Sequence, residues 1–345
     1  MKISEIKISR FLLALAGASI LTAGGCRQAV ADSPAAEHRT EKMVAILPGM
    51  IEDQSWNKIN YEGILKCRET LGVDLEFVQN VTESDFEAVL TEYGSQGYGL
   101  VMAAGSQFDD AVSVVAPRFP DTTFCVVNGS FCQGRNVAPI FPKEYEASYL
   151  ASIIAGNITR SGILGIIAGY PNAPMEHLLD VYEKNAMDII SQRGIENPQT
   201  LRSYANSWSN VDLGKKIVEQ MIDSGADTLF IYANEVGLGC IQAAKERQVR
   251  VIGFSDNQND LEPGTVAASV YFDFGTLYRW TVEQYMDGKL QGNKVHEIGI
   301  REGIFVPVFP EGTPEGLRDA VDQGTSDFLK GKVDLTQWES MKVFL

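Results

Sequence analysis

The stretch "GLVMAAGSQFDDAVSVV", residues 99–115, holds the repeating unit of the chain in miniature. Leu100 to Ala104 is apolar on both alternating faces, as in a strand covered on both sides of its sheet. Gly105 breaks the run, and from Gln107 the apolar residues recur at helical spacing through "QFDDAVSVVAPRF". Strands of this kind pair in parallel, with a helix crossing back between them.

The same reading holds outward in both directions. Strands are expected at "MVAILPG" (43–49), "DLEFVQN" (74–80) and "TTFCVVNG" (122–129), with helical patterns between them. After "VAPIF" and the helix "EYEASYLASIIAGNI" a second series begins: "ILGIIAG" (163–169), "TLRSYAN" (200–206), "TLFIYAN" (228–234) and "RVIGFSD" (250–256). A strand "VAASVYFD", a helix "FGTLYRWTVEQYMDGK", a strand "HEIGI" and a helix around 313–332 close the chain. The order predicts an α/β protein of two doubly wound, three-layer lobes. Ligands of such sheets bind where loops leave the carboxyl ends of the strands, and two lobes can turn those ends toward each other.

Residues 1–25 have a different character. Lys2, Lys7 and Arg10 precede the apolar run "FLLALAGASIL", and "LTAGGC" ends in Cys26. Such a run is of export-signal length and short of a membrane span. Two readings follow: a lipobox, with Cys26 carrying the lipid, or an ordinary cleaved signal beside an incidental cysteine. Ala23 stands where leucine is commoner in a lipobox. Residues 26–42 are polar and aperiodic, the pattern of a flexible tether.

The formal charge is −16, and the first 26 residues carry three positive and one negative side chain, so the rest stands near −18. That balance disfavours nucleic acid and phosphate-rich partners. Cys67, Cys125, Cys132 and Cys240 form no CxxC pair, and three histidines leave little for a metal site. Cys125 and Cys132 are read either as a disulfide or as two buried thiols.

Five strand-end loops then define the candidate site: "IEDQSWN" (51–57), "SQFDD" (106–110), "SWSN" (207–210), "NEVGLG" (234–239) and "SDNQND" (255–260). Two of them carry a tryptophan, Trp56 and Trp208, from a total of four in the chain. Opposed aromatic faces can clamp a flat heterocycle; alternatively each indole packs over its own helix start. The loops hold several carboxylates and no lysine or arginine, which suits a neutral ligand rich in N–H and O–H donors better than a phosphate. Asp53, Asp109 and Asp256 are also candidate helix caps. "VGLGC" (236–240) lacks the third glycine of a dinucleotide loop and reads as a tight turn with close helix packing. No nucleophile elbow, HExxH or covalent-lysine motif is present, and no cofactor is implied.

The segments "VAILPG…DQSWNKINYEG", "GSQFDDAV", "FPDTTFCVVNG", "EYEASYLASIIAG", "GLGCIQAAKE" and "GFSDNQNDL", in this order, resemble the basic membrane protein family. The resemblance covers roughly 43–310. It implies a type I periplasmic-binding-protein fold, a multi-strand hinge and a cleft binding a purine nucleoside or base. It also implies a lipoprotein role beside an ABC permease and no enzymatic step. Carried over, it makes Trp56 and Trp208 the stacking rings, Asn57 a partner of the base edge, and Asp256 an acceptor from ribose or base. Asp53, Ser106, Asp110 and Asn234 belong to the same loops. Tyr271 stands where many relatives have a lysine reaching the ribose, which leaves the sugar open. The implied first lobe is 43–138 plus 270–298, and the second 139–269 plus 299–345. Competing readings are a sensory lipoprotein of the same fold binding another flat heterocycle, and a nucleoside hydrolase using the carboxylates.

Overall fold

The computed structural model describes residues 42–52 and 56–336. The segment read as an export signal, Cys26, the stretch read as a tether up to residue 41, and Asp53 therefore lie outside the described residues. The chain opens with β1 (Met43–Ile46), α1 (Trp56–Leu71), β2 (Leu75–Val78), α2 (Phe86–Ser95) and β3 (Leu100–Ala104). It continues through α3 (Asp109–Val115), β4 (Thr123–Val127) and β5 (Ile140–Pro142). A second run begins at α4 (Glu144–Ile158), followed by β6 (Ile163–Ala168), α5 (Ala173–Gln192), β7 (Gln199–Tyr204) and α6 (Val211–Asp223). Next come β8 (Thr228–Tyr232), α7 (Val236–Glu246), β9 (Arg250–Ser255) and β10 (Val266–Phe272). The chain then passes through α8 (Phe274–Met286), β11 (His296–Ile298), β12 (Phe305–Val308) and α9 (Glu315–Leu329).

Two six-stranded sheets result, in the orders β11-β5-β4-β3-β1-β2 and β12-β10-β9-β8-β6-β7. Each is doubly wound, the two-lobe arrangement of a type I periplasmic binding protein. Strand composition explains why both faces are covered. In β1 and β3, Met43, Ala45, Leu100 and Met102 enter one core, and Val44, Ile46, Val101 and Ala103 enter the other. Alternating Cβ directions send neighbours to opposite faces, and both faces meet helices.

Two local findings differ from the sequence reading, and a third decides between alternatives it left open. The helix expected across 107–119 is α3 alone, flanked by 3-10 turns at Ser106–Phe108 and Ala116–Arg118. Pro117, which has no N–H, cannot continue the α-helical ladder. The strand β12 was not expected; it pairs antiparallel with β10 at the sheet edge. Its Pro307 is tolerated there because an edge strand can leave one N–H side unpaired. The cysteines Cys67, Cys125, Cys132 and Cys240 are free thiols, so Cys125 and Cys132 are not bridged.

Sheet membership also sets where the chain crosses between lobes. β5 belongs to the first sheet, and β10 stays in the second through Phe272. The crossings therefore fall at 142–144, 272–274 and 298–305, a few residues beyond the first two boundaries drawn from sequence. They are bound to each other: the Lys143 amide donates to the Ile298 carbonyl and the Asp273 amide to the Ile304 carbonyl, each at 2.8 Å. Glu146, buried one turn into α4, accepts from the Ile300 amide at 2.7 Å and pairs with Lys143 at 2.6 Å.

The glycines of "VGLGC" serve packing between α6 and α7. A Cβ at Gly239 would stand 1.9 Å from the Val211 carbonyl oxygen and 3.0 Å from the Lys215 nitrogen. Both are backbone atoms, which cannot step aside. Gly239→Ala gains about 1 kcal/mol of helix propensity, but overpacking costs about 3 kcal/mol. A net loss near 2 kcal/mol is expected in urea unfolding.

Candidate ligand-binding cleft

Loops diverge where strand order reverses, and the crevice there is the usual ligand position. In the first sheet the reversal lies between β1 and β3, and in the second between β6 and β8. Both tryptophans stand at these points. Trp56 opens α1, and its Nε1 donates to the Ala104 carbonyl at the end of β3, at 3.1 Å. Its ring meets Phe274 edge-on, centroids 5.4 Å apart. Trp208 lies over Gly169 at the end of β6, where a Cβ would fall 2.2 Å from the ring. Tyr170 packs beside it at 5.6 Å, and 36 % of Trp208 remains exposed.

A cavity of about 470 Å³ adjoins Trp208, within the roughly 300–1,000 Å³ usual for small-molecule sites. From the first sheet's side it is lined by Ser106, Asn128, Ser130, Phe141 and Pro142. From the second come Glu144, Asn172, Pro174, Met175, Leu178, Trp208 and Tyr232. Among the described residues the lining holds no cation, and Glu144 is its one charged side chain. Such a surface offers aromatic and aliphatic contact plus hydrogen-bond partners, and nothing to neutralise a phosphate.

The structure thus joins Ser106 and Trp208 in one cavity, which Trp56 does not line. Asn57 is buried, and its Oδ1 accepts from the Gly49 amide at 2.9 Å, fixing the loop after β1. Asp110 is not in this lining; it borders an exposed groove with Glu83, Glu87 and Gln107. The adjacent Asp109 turns inward instead. Its Oδ2 accepts from the Ser130 amide at 2.9 Å and the Phe131 amide at 3.3 Å, anchoring the loop after β4. Burial raises its pKa, against those hydrogen bonds.

Asn234 and Asp256 are exposed at the ends of β8 and β9, and the Asp256 carboxylate accepts from the Asn257 amide at 2.7 Å. Neither Asp109 nor Asp256 caps a helix; Asn172, Asn210 and Asp273 do. Tyr271 is half-buried on β10. Burial raises its pKa, and the charges of Asp273, Asp256 and Glu62 add to that. Glu62 lies on α1, so the Tyr271 hydroxyl is within electrostatic reach of both lobes.

Asn128, Ser130, Glu144, Asn172 and Tyr232 were not singled out from sequence, although all line the cavity. A signal was present. Asn80, Asn128, Asn206 and Asn234 stand just past β2, β4, β7 and β8 with φ of 59°, 62°, 49° and 34°. Asparagine tolerates this left-handed region better than other side-chain-bearing residues, so "VVN" and the repeated "YAN" mark sharp exits toward the crevice.

Glu144 begins α4 directly after a lobe crossing, and the Tyr232 hydroxyl donates to its Oε2. Burial pushes its carboxyl up to about 7, and the Tyr232 hydrogen bond only partly offsets this. The fold thus holds this proton more tightly than the unfolded chain, whose value is near 4.5. The resulting stabilisation is full at low pH and is lost as pH rises from there through about 7. Glu144→Gln should therefore gain melting temperature relative to wild type between about pH 5 and pH 8.

A family model described as "ABC transporter substrate-binding protein PnrA-like" matches residues 40–315. The chain belongs to this family of ABC transporter substrate-binding proteins. The family's similarity extends along nearly the whole chain in one curated relative, the "ABC transporter nucleoside-binding protein BmpA" of Lactococcus lactis. It is 25 % identical over 343 residues, covering 93 % of this chain and 96 % of the relative. The "Transcriptional activator protein med" of Bacillus subtilis is 23 % identical, covering 77 % of this chain and 81 % of its own. Among solved structures, a transcriptional activator of the comK gene from Bacillus halodurans superposes with a TM-score of 0.74 at 21 % identity. It covers 84 % of this chain and 99 % of that one, and shows the shared fold.

Proposed function

We propose that the protein is an extracytoplasmic receptor, anchored through a lipid on Cys26, that captures a purine nucleoside or nucleobase and passes it to an ABC permease. The carrying observation is the cavity beside Trp208, polar, apolar and free of lysine and arginine among the described residues. Membership of a substrate-binding family and the nucleoside-binding name of the Lactococcus relative support the ligand class. In this reading the lobes close on the ligand, with Trp208 on one ring face and Trp56 approaching the other. Asn57, Asp53, Ser106 and Asp256 serve the ring edge or sugar, and Tyr271, Asn234 and Asp110 border the closing loops. Closure shifts the population toward a state the permease reads. The receptor performs no chemistry on its cargo.

Mass spectrometry of small molecules retained through native purification tests this. A purine or its nucleoside is the expected species, and another class of compound would overturn the ligand assignment. A second reading, a sensory lipoprotein of the same fold, is favoured by the Bacillus subtilis relative named as a transcriptional activator. Co-purification with a permease argues for import, and with a sensor protein for signalling.

A further inference from the structure

The cavity contains one arrangement that stacking does not account for. Glu144 is its one charged lining group among the described residues, and it sits at the first residue of α4, beside the crossing at 142–144. Tyr232, the last residue of β8, holds one carboxyl oxygen, Oε2, by donating its hydroxyl proton. The Glu144 carboxyl has no other hydrogen bond among the described residues, and the neighbouring Lys143 is paired with Glu146 at 2.6 Å. A half-buried carboxyl with one oxygen fixed and the other without a partner is an oriented acceptor. Leaving it unmatched when a ligand expels water costs affinity, so it discriminates by what the ligand can donate.

We propose that Glu144, oriented by Tyr232, is a specificity-determining residue of the cleft, whose Oε1 receives a ring or exocyclic N–H of the bound heterocycle. The inference rests on the purine reading above. A base with its donor blocked by a methyl group leaves the carboxyl unpaired and adds bulk against it, so the site rejects it. The same carboxyl works against anionic ligands. Its charged form is the better acceptor, so affinity is expected to fall as pH drops below about 7, where the carboxyl takes up its proton. Tyr232 is the other titratable group in the lining among the described residues.

The test is calorimetric titration of wild type, Glu144→Gln and Tyr232→Phe with adenine, guanine, hypoxanthine and their nucleosides. The N-methylated analogues of the tightest-bound member are titrated alongside. For wild type, the parent is expected to be preferred over the analogue that blocks the paired N–H. Glu144→Gln should weaken the parent about tenfold, the margin of a charge-assisted over a neutral hydrogen bond. It should also compress the parent-to-analogue ratio and flatten the pH profile. Tyr232→Phe, which frees the carboxyl to rotate, should shift the ratio in the same direction. Melting temperatures report folding of each variant, and a purely structural role would change them without changing the ratio. Purine binding by wild type with ratio and pH profile unchanged in Glu144→Gln overturns this inference alone. A wild type that binds no member of the panel overturns the purine reading and this inference with it.

Discussion

Replacing Glu146 by alanine is expected to cost about 3 kcal/mol of folding stability, the scale for removing one partner of a buried pair. Two groups lose their acceptor together: the Ile300 amide, bonded at 2.7 Å, and the Lys143 ammonium, at 2.6 Å. They belong to different lobe crossings, so the loss falls on the hinge itself. Burial raises the Glu146 pKa even against Lys143 and the Ile300 amide. The ion pair is thus not itself a large source of stability; leaving its partners unmatched is what costs. Glu146→Gln keeps an acceptor of nearly the same shape and should cost about half as much. Gly299 belongs to the same construction, since a Cβ there would stand 2.0 Å from the Glu146 carboxylate. Urea unfolding with a common slope checks the ordering, and equal losses for alanine and glutamine would contradict it.

Trp208→Ala should weaken ligand binding by about 1–3 kcal/mol, the range for one base–aromatic stack in single-strand binders. That is roughly a 5- to 150-fold rise in Kd. Its effect on folding should be modest, because the indole is 36 % exposed and rests on Gly169 and Tyr170 at the rim. Trp56→Ala provides the contrast. That indole gives its N–H to Ala104 and its edge to Phe274, so its loss should lower the melting temperature as well as the affinity. Calorimetry and thermal melts on both variants separate the roles. A Trp208→Ala protein with wild-type affinity would remove the ring from the site.

The sheets were legible because their strands are apolar on both faces, as "LVMAA" in β3 illustrates: all five residues are buried. β12 was not, since "FVPV" is short and carries a proline that only an edge can accommodate. The two tryptophans stood out through size and position. Of the groups that line the cavity with Trp208 and Ser106, Asn128, Ser130, Asn172 and Tyr232 did not, because a serine, an asparagine or a tyrosine near a strand end looks the same whether it faces a cavity or water. Glu144 was hidden for another reason. In sequence, "KEYE" reads as a charged helix start, and the partners of its two glutamates differ entirely. Glu146 goes to Lys143 and Ile300 in the hinge, and Glu144 to Tyr232, 88 positions away. The neighbouring pair Asp109 and Asp110 divides in the same way, one half-buried and bonded to Ser130 and one on an outer groove. Only tertiary packing decides which of two adjacent carboxylates turns inward.

The central claim, a cleft built for an uncharged purine-type ligand, is tested most directly by titrating the purified protein with purine nucleosides, free bases and nucleoside monophosphates in one calorimetric series. At least one nucleoside or base should bind with one-to-one stoichiometry and a Kd of about 1 μM or tighter, near −8 kcal/mol. The matching monophosphate should bind far more weakly, because no cation lines the cavity among the described residues. Absence of binding by every nucleoside and base, or equal affinity for the monophosphate, would contradict the claim.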